Sequence, residues 1–248
     1  MSTTTHLLLD IEGTTCPITF VSSVLFPYAK AELAQFLAAH QHESSVQGLI
    51  SDAWKEWRHD PDPTSQSLLQ SSPKEKEDTE HRAIIQYLQH LIEIDKKSTA
   101  LKDLQGKIWK QGYENGQIQT ALFPETTAAL KSWSQAGLKL AVYSSGSIAA
   151  QQLLYNYTSE GDLRQLFCGW FDTHTGNKKE PTSYRAIAQE LQAKPEQVTF
   201  ISDSRAECDA AAEAGLSTLF SLRPGNPDQE PGNHPVITDL SDVSSKLT

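Results

Sequence analysis

Asp10 and Glu12 stand two residues apart, directly after the apolar run Leu7-Leu8-Leu9 and before Gly13-Thr14-Thr15. An apolar run that closes on carboxylates and a glycine turn has the pattern of a buried strand ending at a ligand crevice, since open α/β sheets bind ligands beyond the carboxyl ends of their strands. Residues i and i+2 of a strand share a face. Two carboxylates so placed repel one another unless a cation or a division of labour separates their ionisations. A solvated turn also uses Asp and Gly, so the motif alone does not establish chemistry.

Three further places supply partners for it. Ser144-Ser145-Gly146-Ser147 follows the apolar Ala141-Val142-Tyr143, Lys178 and Lys179 lie in Gly176-Asn177-Lys178-Lys179-Glu180, and Ser202-Asp203-Ser204-Arg205 precedes Glu207. Each has an ordinary structural use taken singly. Serines cap helices, paired lysines are commonly solvated, and Asp203 serves as well for an N-cap. A carboxylate pair, a hydroxyl cluster, an ammonium and a further carboxylate, in this order at strand ends, are much harder to obtain by accident.

These residues need elements to position them. After the first strand come about a hundred residues of helical periodicity. Leu33, Phe36 and Leu37 mark one helix, Val46, Leu49, Ile50, Ala53, Trp54 and Trp57 a second, Ile84, Ile85, Leu88, Leu91 and Ile92 a third, and Leu101, Leu104, Ile108 and Trp109 a fourth. The polar stretch 59–79, with Pro61, Pro63 and Pro73, reads as an exposed connection. From about residue 120 strands and helices alternate. Strands are expected at 138–143, 198–201 and 217–222, with helices over 126–135, after Ser147, over 184–191 with Pro181 in the first turn, and over 206–214. Such alternation implies a parallel sheet with right-handed crossovers. The expected fold class is α/β, a doubly wound parallel sheet with an inserted all-helical cap. Residues 1–18 and 119–248 form the sheet domain and 19–118 the cap.

Composition narrows the partners. The 248 residues carry 21 basic and 31 acidic side chains, a net charge of −10, which argues against nucleic acid or an anionic membrane. No apolar run approaches the roughly 18 residues of a spanning helix, and no signal peptide precedes the first strand. Cys16, Cys168 and Cys208 are scattered and odd in number, and the eight histidines show no zinc spacing. A reduced, cytoplasmic chain is expected.

The four motifs together resemble the haloacid dehalogenase superfamily, mostly magnesium-dependent phosphatases with an aspartate nucleophile. The resemblance is closer to its enolase–phosphatase family of methionine salvage. It rests on Asp10-Ile-Glu-Gly-Thr-Thr-x-Pro-Ile-x-Phe-Val21, Leu25-Phe-Pro-Tyr28, Leu104-Gln-Gly-x-Ile-Trp-x-x-Gly-Tyr113, Tyr143-Ser-Ser-Gly-Ser147, Gly176-x-Lys-x-Glu-x-x-Ser-Tyr184 and Arg223-Pro-Gly-Asn226. Most of the superfamily carries Asp where this chain has Glu12, a departure that agrees with the enolase–phosphatases.

The resemblance implies a bifunctional enzyme acting on 2,3-diketo-5-methylthiopentyl-1-phosphate. Enolisation and then dephosphorylation through an aspartyl phosphate would give the acireductone 1,2-dihydroxy-3-keto-5-methylthiopentene. It implies one Mg²⁺ per chain, held by Asp10, Asp203 and the backbone carbonyl of Glu12. Asp10 would be the nucleophile, Glu12 the general acid and base, and Ser144, Ser145 and Lys178 the phosphate holders. The register of the lysine motif selects Lys178 over Lys179, Glu207 would orient Lys178 or a metal-bound water, and the family is expected to be monomeric. Glu12 is also the first candidate for removing the carbon-bound proton. Trp109 and Tyr113 could wall the substrate tail, though aromatics at helical spacing usually belong to a core. The alternatives are a phosphatase of another small phosphate ester without enolisation, and a non-enzymatic phosphate-responsive regulator. A regulator would be expected to have lost Asp10, Asp203 or Lys178. A dehalogenase needs no magnesium and gives the second carboxylate no role.

Overall fold

The computed structural model describes residues 4–71 and 77–247. Two compact units divide the chain, residues 1–21 with 119–248 and residues 22–118. In chain order the elements are β1 (His6–Leu9), the short α1 (Ile18–Phe20), α2 (Phe26–His40), α3 (Ser44–Arg58), α4 (Pro63–Ser71), α5 (Glu77–Glu93) and α6 (Thr99–Glu114). There follow α7 (Thr126–Gln135), β2 (Lys139–Tyr143), α8 (Ile148–Asn156), β3 (Phe167–Phe171), α9 (Pro181–Glu190), β4 (Val198–Ser202), α10 (Arg205–Glu213), β5 (Ser217–Ser221) and β6 (Val236–Ile237).

The strands of the first unit form one sheet in the order β3-β2-β1-β4-β5-β6, every pairing parallel. β1 is central. Leu7, Leu8 and Leu9 are wholly buried, as a strand covered by helices on both faces must be. One face carries Leu8, Tyr143, Phe200 and Phe220 against Tyr184 and Ile187 of α9 and Ala210 and Ala211 of α10. Winding runs outward from β1 through β2 to β3, then restarts on the other side at β4. The switch point therefore falls between β1 and β4, where Leu9 is paired with Ile201 and the two chains leave the sheet side by side.

The described part of residues 22–118 is built from helices. Leu33, Phe36, Val46, Ala53, Trp57, Ile84, Leu88, Leu91, Leu104 and Ile108 are all buried there. Trp57 stacks on Tyr87 at 4.6 Å and donates its indole N–H to the carbonyl of Ser65. Trp109 and Tyr113 are interior residues of this unit, with Trp109 Nε1 donating to the Leu25 carbonyl at 2.8 Å. Gly112 lets α2 and α6 approach, because a β-carbon there would lie 2.6 Å from the Tyr28 ring.

Two expectations need correction. The polar stretch after residue 59 is not a plain connection, since α4 occupies its first part and α5 begins at Glu77, while Pro73 lies outside the described residues. α4 is built by its ends: the Asp62 carboxylate accepts from Ser65 N at 2.8 Å and Pro63 stands at the first position. The sheet is also wider than the pattern implies. β3 is an edge strand whose Cys168 is exposed and whose centre is Gly169, and β6 is only two residues long after Pro235.

Candidate active site

The site begins where β1 stops. Asp10 N donates to Ile201 O, which continues the β1–β4 ladder one residue beyond the strand. The chain then turns back sharply, with the Ile11 carbonyl accepting from Thr14, Thr15 and Cys16 N–H at 3.2, 2.9 and 2.9 Å. Gly13 takes φ +69° in this turn, and a β-carbon on it would collide with the Asp203 carboxylate. The glycine therefore meets both requirements, the left-handed backbone and the close approach of Asp203 from the end of β4.

Asp10 is buried, and Lys178 lies against it. Lys178 Nζ is 2.7 Å from Asp10 Oδ1 and 2.6 Å from Glu207 Oε2. The lysine comes from the loop between β3 and α9. It is held there by backbone contacts, with Tyr184 Oη donating to the Lys178 carbonyl at 2.6 Å, Tyr143 Oη to that of Gly176 at 3.0 Å and Ser183 Oγ to that of Asn177 at 2.8 Å. Lys178 is 8% exposed, whereas Lys179 next to it is exposed at the rim. Ser202 Oγ lies 3.2 Å from Asp10 Oδ2 and 2.9 Å from Glu207 Oε2, joining the two carboxylates that Lys178 bridges from the other side.

One ammonium thus faces three carboxylates, those of Asp10, Glu207 and Asp203. Burial works against the charge of Lys178, but Asp10 and Glu207 outweigh it and its pKa is raised. Burial, reinforced by the like charges of Asp10 and Glu207, pushes Asp203 up to about 7. Glu207 rises for the same two reasons, burial first and then Asp10. Such a surplus of negative charge is the local electrostatics of a cation site.

Ser144 follows β2, the other neighbour of β1, and is buried. Its Oγ accepts from Gly146 N at 3.2 Å, so its own hydrogen is available to an acceptor. Ser147 caps α8 through Ala150 N at 3.3 Å, and Asp172 Oδ2 takes Ile148 N at 3.2 Å. Part of the α8 N-terminus is therefore already satisfied by the protein's own side chains. Asp172 is a site-flanking carboxylate that sequence reasoning missed. Burial works to raise its pKa, but hydrogen bonds from His174 and Ile148 hold it below the usual range. A cavity of about 420 Å³ is lined by Ser145, Thr173, Gly176, Asn177, Lys178, Lys179 and Glu207. Glu12 is half-buried at the same turn, close enough to Asp203 to act on its charge.

The structure thus gathers Asp10, Glu12, Asp203, Lys178 and Glu207 around the β1–β4 switch point, with Ser144 one strand over. Sequence reasoning missed Ser202 as the bridge between Asp10 and Glu207. Its position beside Asp203 at a strand end was the available signal. Among the described residues no group of three or more His, Cys, Asp or Glu side chains is arranged to hold a metal by itself. Magnesium does not require one. It is commonly held by one or two carboxylates with several waters retained, and Asp10, Asp203 and the Glu12 carbonyl meet that pattern in type.

Comparison with known proteins places the chain in a family. The model of the haloacid dehalogenase-like hydrolases matches residues 4–215. Enolase-phosphatase E1 of Synechococcus sp. (strain CC9902) is 54% identical over 98% of both chains. That of Prochlorococcus marinus (strain MIT 9313) is 55% identical over 95% of this chain and 96% of its own. The crystal structure of the UTR4 protein of Saccharomyces cerevisiae superposes with a TM-score of 0.71 at 32% identity, covering 95% of this chain and 98% of that one. The chain belongs to the haloacid dehalogenase-like hydrolases and, within them, to the enolase-phosphatase E1 family.

Proposed function

We propose that this protein is the enolase–phosphatase of methionine salvage, converting 2,3-diketo-5-methylthiopentyl-1-phosphate to the acireductone 1,2-dihydroxy-3-keto-5-methylthiopentene. The observation that carries the reading is Lys178, buried and within 2.7 Å of Asp10 at the sheet switch point. A carboxylate attacks a phosphate ester only where fixed positive charge offsets their mutual repulsion, so catalysis is mainly positioning and charge neutralisation.

Glu12 takes the proton from the carbon bearing the phosphate ester, and the electron pair moves onto the adjacent carbonyl oxygen. An oxygen of Asp10 then forms a bond to phosphorus while the bond from phosphorus to the ester oxygen breaks, giving an aspartyl phosphate. Glu12, now protonated, delivers its proton to the leaving oxygen. In the last step it removes a proton from the water that attacks the phosphoryl group and restores Asp10, and it passes that proton to the enolate oxygen, which completes the second hydroxyl of the product and returns Glu12 to its carboxylate. Lys178, Ser144 and Ser145 hold the phosphate oxygens throughout, and Glu207 with Ser202 fixes the position of Lys178.

Asp10, Asp203 and the Glu12 carbonyl would hold Mg²⁺, which when bound supplies Lewis-acid polarisation of substrate oxygens and screening of charge. The helical unit, residues 22–118, is the inserted cap domain of this fold class. The protein works as a cytoplasmic monomer on a small phosphorylated diketone. Acid quenching during turnover of the diketone phosphate with Mg²⁺, followed by peptide mapping, tests the reading. The phosphoryl group is expected on Asp10, and its recovery on another side chain would refute it.

A further inference from the structure

Arg223-Pro224-Gly225-Asn226 has no part in the chemistry above, yet it reaches into the catalytic turn. β5 is separated from β1 by β4. From the end of β5, Ser221 Oγ donates to Gly13 O at 2.9 Å, and Asn226 Nδ2 donates to the same oxygen at 3.0 Å. The neighbouring carbonyl, that of Thr14, accepts from Arg223 Nη2 at 3.2 Å. Three donors therefore converge on two consecutive carbonyls immediately after Glu12.

The donors are themselves tightly held. Arg223 is 6% exposed, pairs with Glu125 at 2.6 Å and lies 3.8 Å over the Phe123 ring. Asn226 is 7% exposed and shares its amide with Ser221 O at 3.2 Å. The turn they grip has a left-handed glycine, and Asp203 packs directly on it. Without donors, the Gly13 and Thr14 carbonyls would be desolvated acceptors beside several carboxylates. Such groups rotate to find partners, and the plane of the peptide that orients Glu12 would rotate with them.

We infer that Asn226 and Arg223 are positioning residues, a clamp that crosses the end of β4 to hold the Gly13-Thr14 peptides and so aims Glu12. The inference rests on the role proposed for Glu12 above. It predicts a selective defect, with proton transfer suffering while phosphate binding at Lys178 and Ser144 survives.

The test is Asn226→Asp, which keeps the size and replaces the donor with an acceptor facing Gly13 O. Expected are a kcat per folded molecule lower by on the order of tenfold to a hundredfold, an unchanged KM and an unchanged inhibition constant for inorganic phosphate. Hydrogen exchange should speed up in the peptide covering residues 10–16 and stay as in the parent over α9. Unchanged kcat with unchanged exchange in that peptide would overturn the clamp. So would weakening of phosphate inhibition in step with kcat, which marks a general loss of structure. If Asn226→Asp does not fold, Ser221→Ala removes one donor to the same carbonyl. It should show the same pattern more weakly, and parent-like kcat and exchange there would likewise overturn the inference. A parent enzyme that fails to turn over the diketone phosphate would instead remove the proposed function and leave the exchange result standing.

Discussion

Lys178 loses hydration on burial and keeps its proton because Asp10 and Glu207 lie 2.7 and 2.6 Å from it. Removing it would leave two buried carboxylates with Ser202 between them and no cation, and the phosphate without its fixed charge. Lys178→Ala should therefore lower kcat by about 10²–10³ and lower stability by about 3–5 kcal/mol in urea unfolding. Lys179→Ala should leave both close to the parent, since that side chain is exposed. A variant pair behaving the other way round would mean that Lys179 faces the phosphate. Asp203 shows how charge at this site reaches stability. Its folded-state pKa of about 7 stands above its unfolded value near 3.8. A carboxyl raised on folding contributes stability below its unfolded pKa, and that contribution is lost as pH rises through the folded pKa. In chelator, the thermal midpoint of the parent relative to Asp203→Asn should fall between about pH 4 and pH 8. Mg²⁺ should raise the parent midpoint more at the higher pH, because a metal takes the deprotonated carboxylate. A gap that does not change with pH would contradict this assignment.

Elements were legible in proportion to how much their own sequence decided them. β1 announced itself because a strand buried on both faces must be continuously apolar, as Leu7, Leu8 and Leu9 are. α6 did so through Leu101, Leu104 and Ile108 on one face. β3 did not, since an edge strand has little need of burial and Gly169 breaks what pattern remains. α4 was hidden for a different reason, because Asp62 and Pro63 define it and its apolar content is only Leu68 and Leu69. The catalytic turn shows the same division. Asp10 and Gly13 were readable locally, whereas the clamp from Ser221 and Asn226 acts on a backbone carbonyl more than two hundred residues away, where no side-chain pattern could report it. The turn also yields a prediction of its own. Gly13→Ala adds a methyl where the Asp203 carboxylate sits and holds a non-glycine residue at positive φ. The strain is of order 1–3 kcal/mol, and Asp203 must move. Phosphate release should fall steeply while circular dichroism still reports a folded chain. Parent activity in that variant would show that Asp203 is not needed where it stands.

At the scale of the molecule the candidate site belongs to one of two units. The sheet unit gathers the carboxylates of Asp10 and Asp203 and the ammonium of Lys178 at one switch point, and residues 22–118 form a helical unit with a core of its own. Net charge of −10 makes the positive charge of Lys178 at the site a local device and not a property of the surface. Sequence resemblance spanned both units, which is why the reaction as well as the fold could be anticipated. The most direct measurement supplies the diketone phosphate and Mg²⁺ to parent and Asp10→Asn protein while recording enol absorbance and free phosphate from the same sample. The parent should show the conjugated enol rising before phosphate, and Asp10→Asn should accumulate the enol and release none. Phosphate appearing at the parent rate from Asp10→Asn, or appearing from the parent with no enol at any time, would contradict the account.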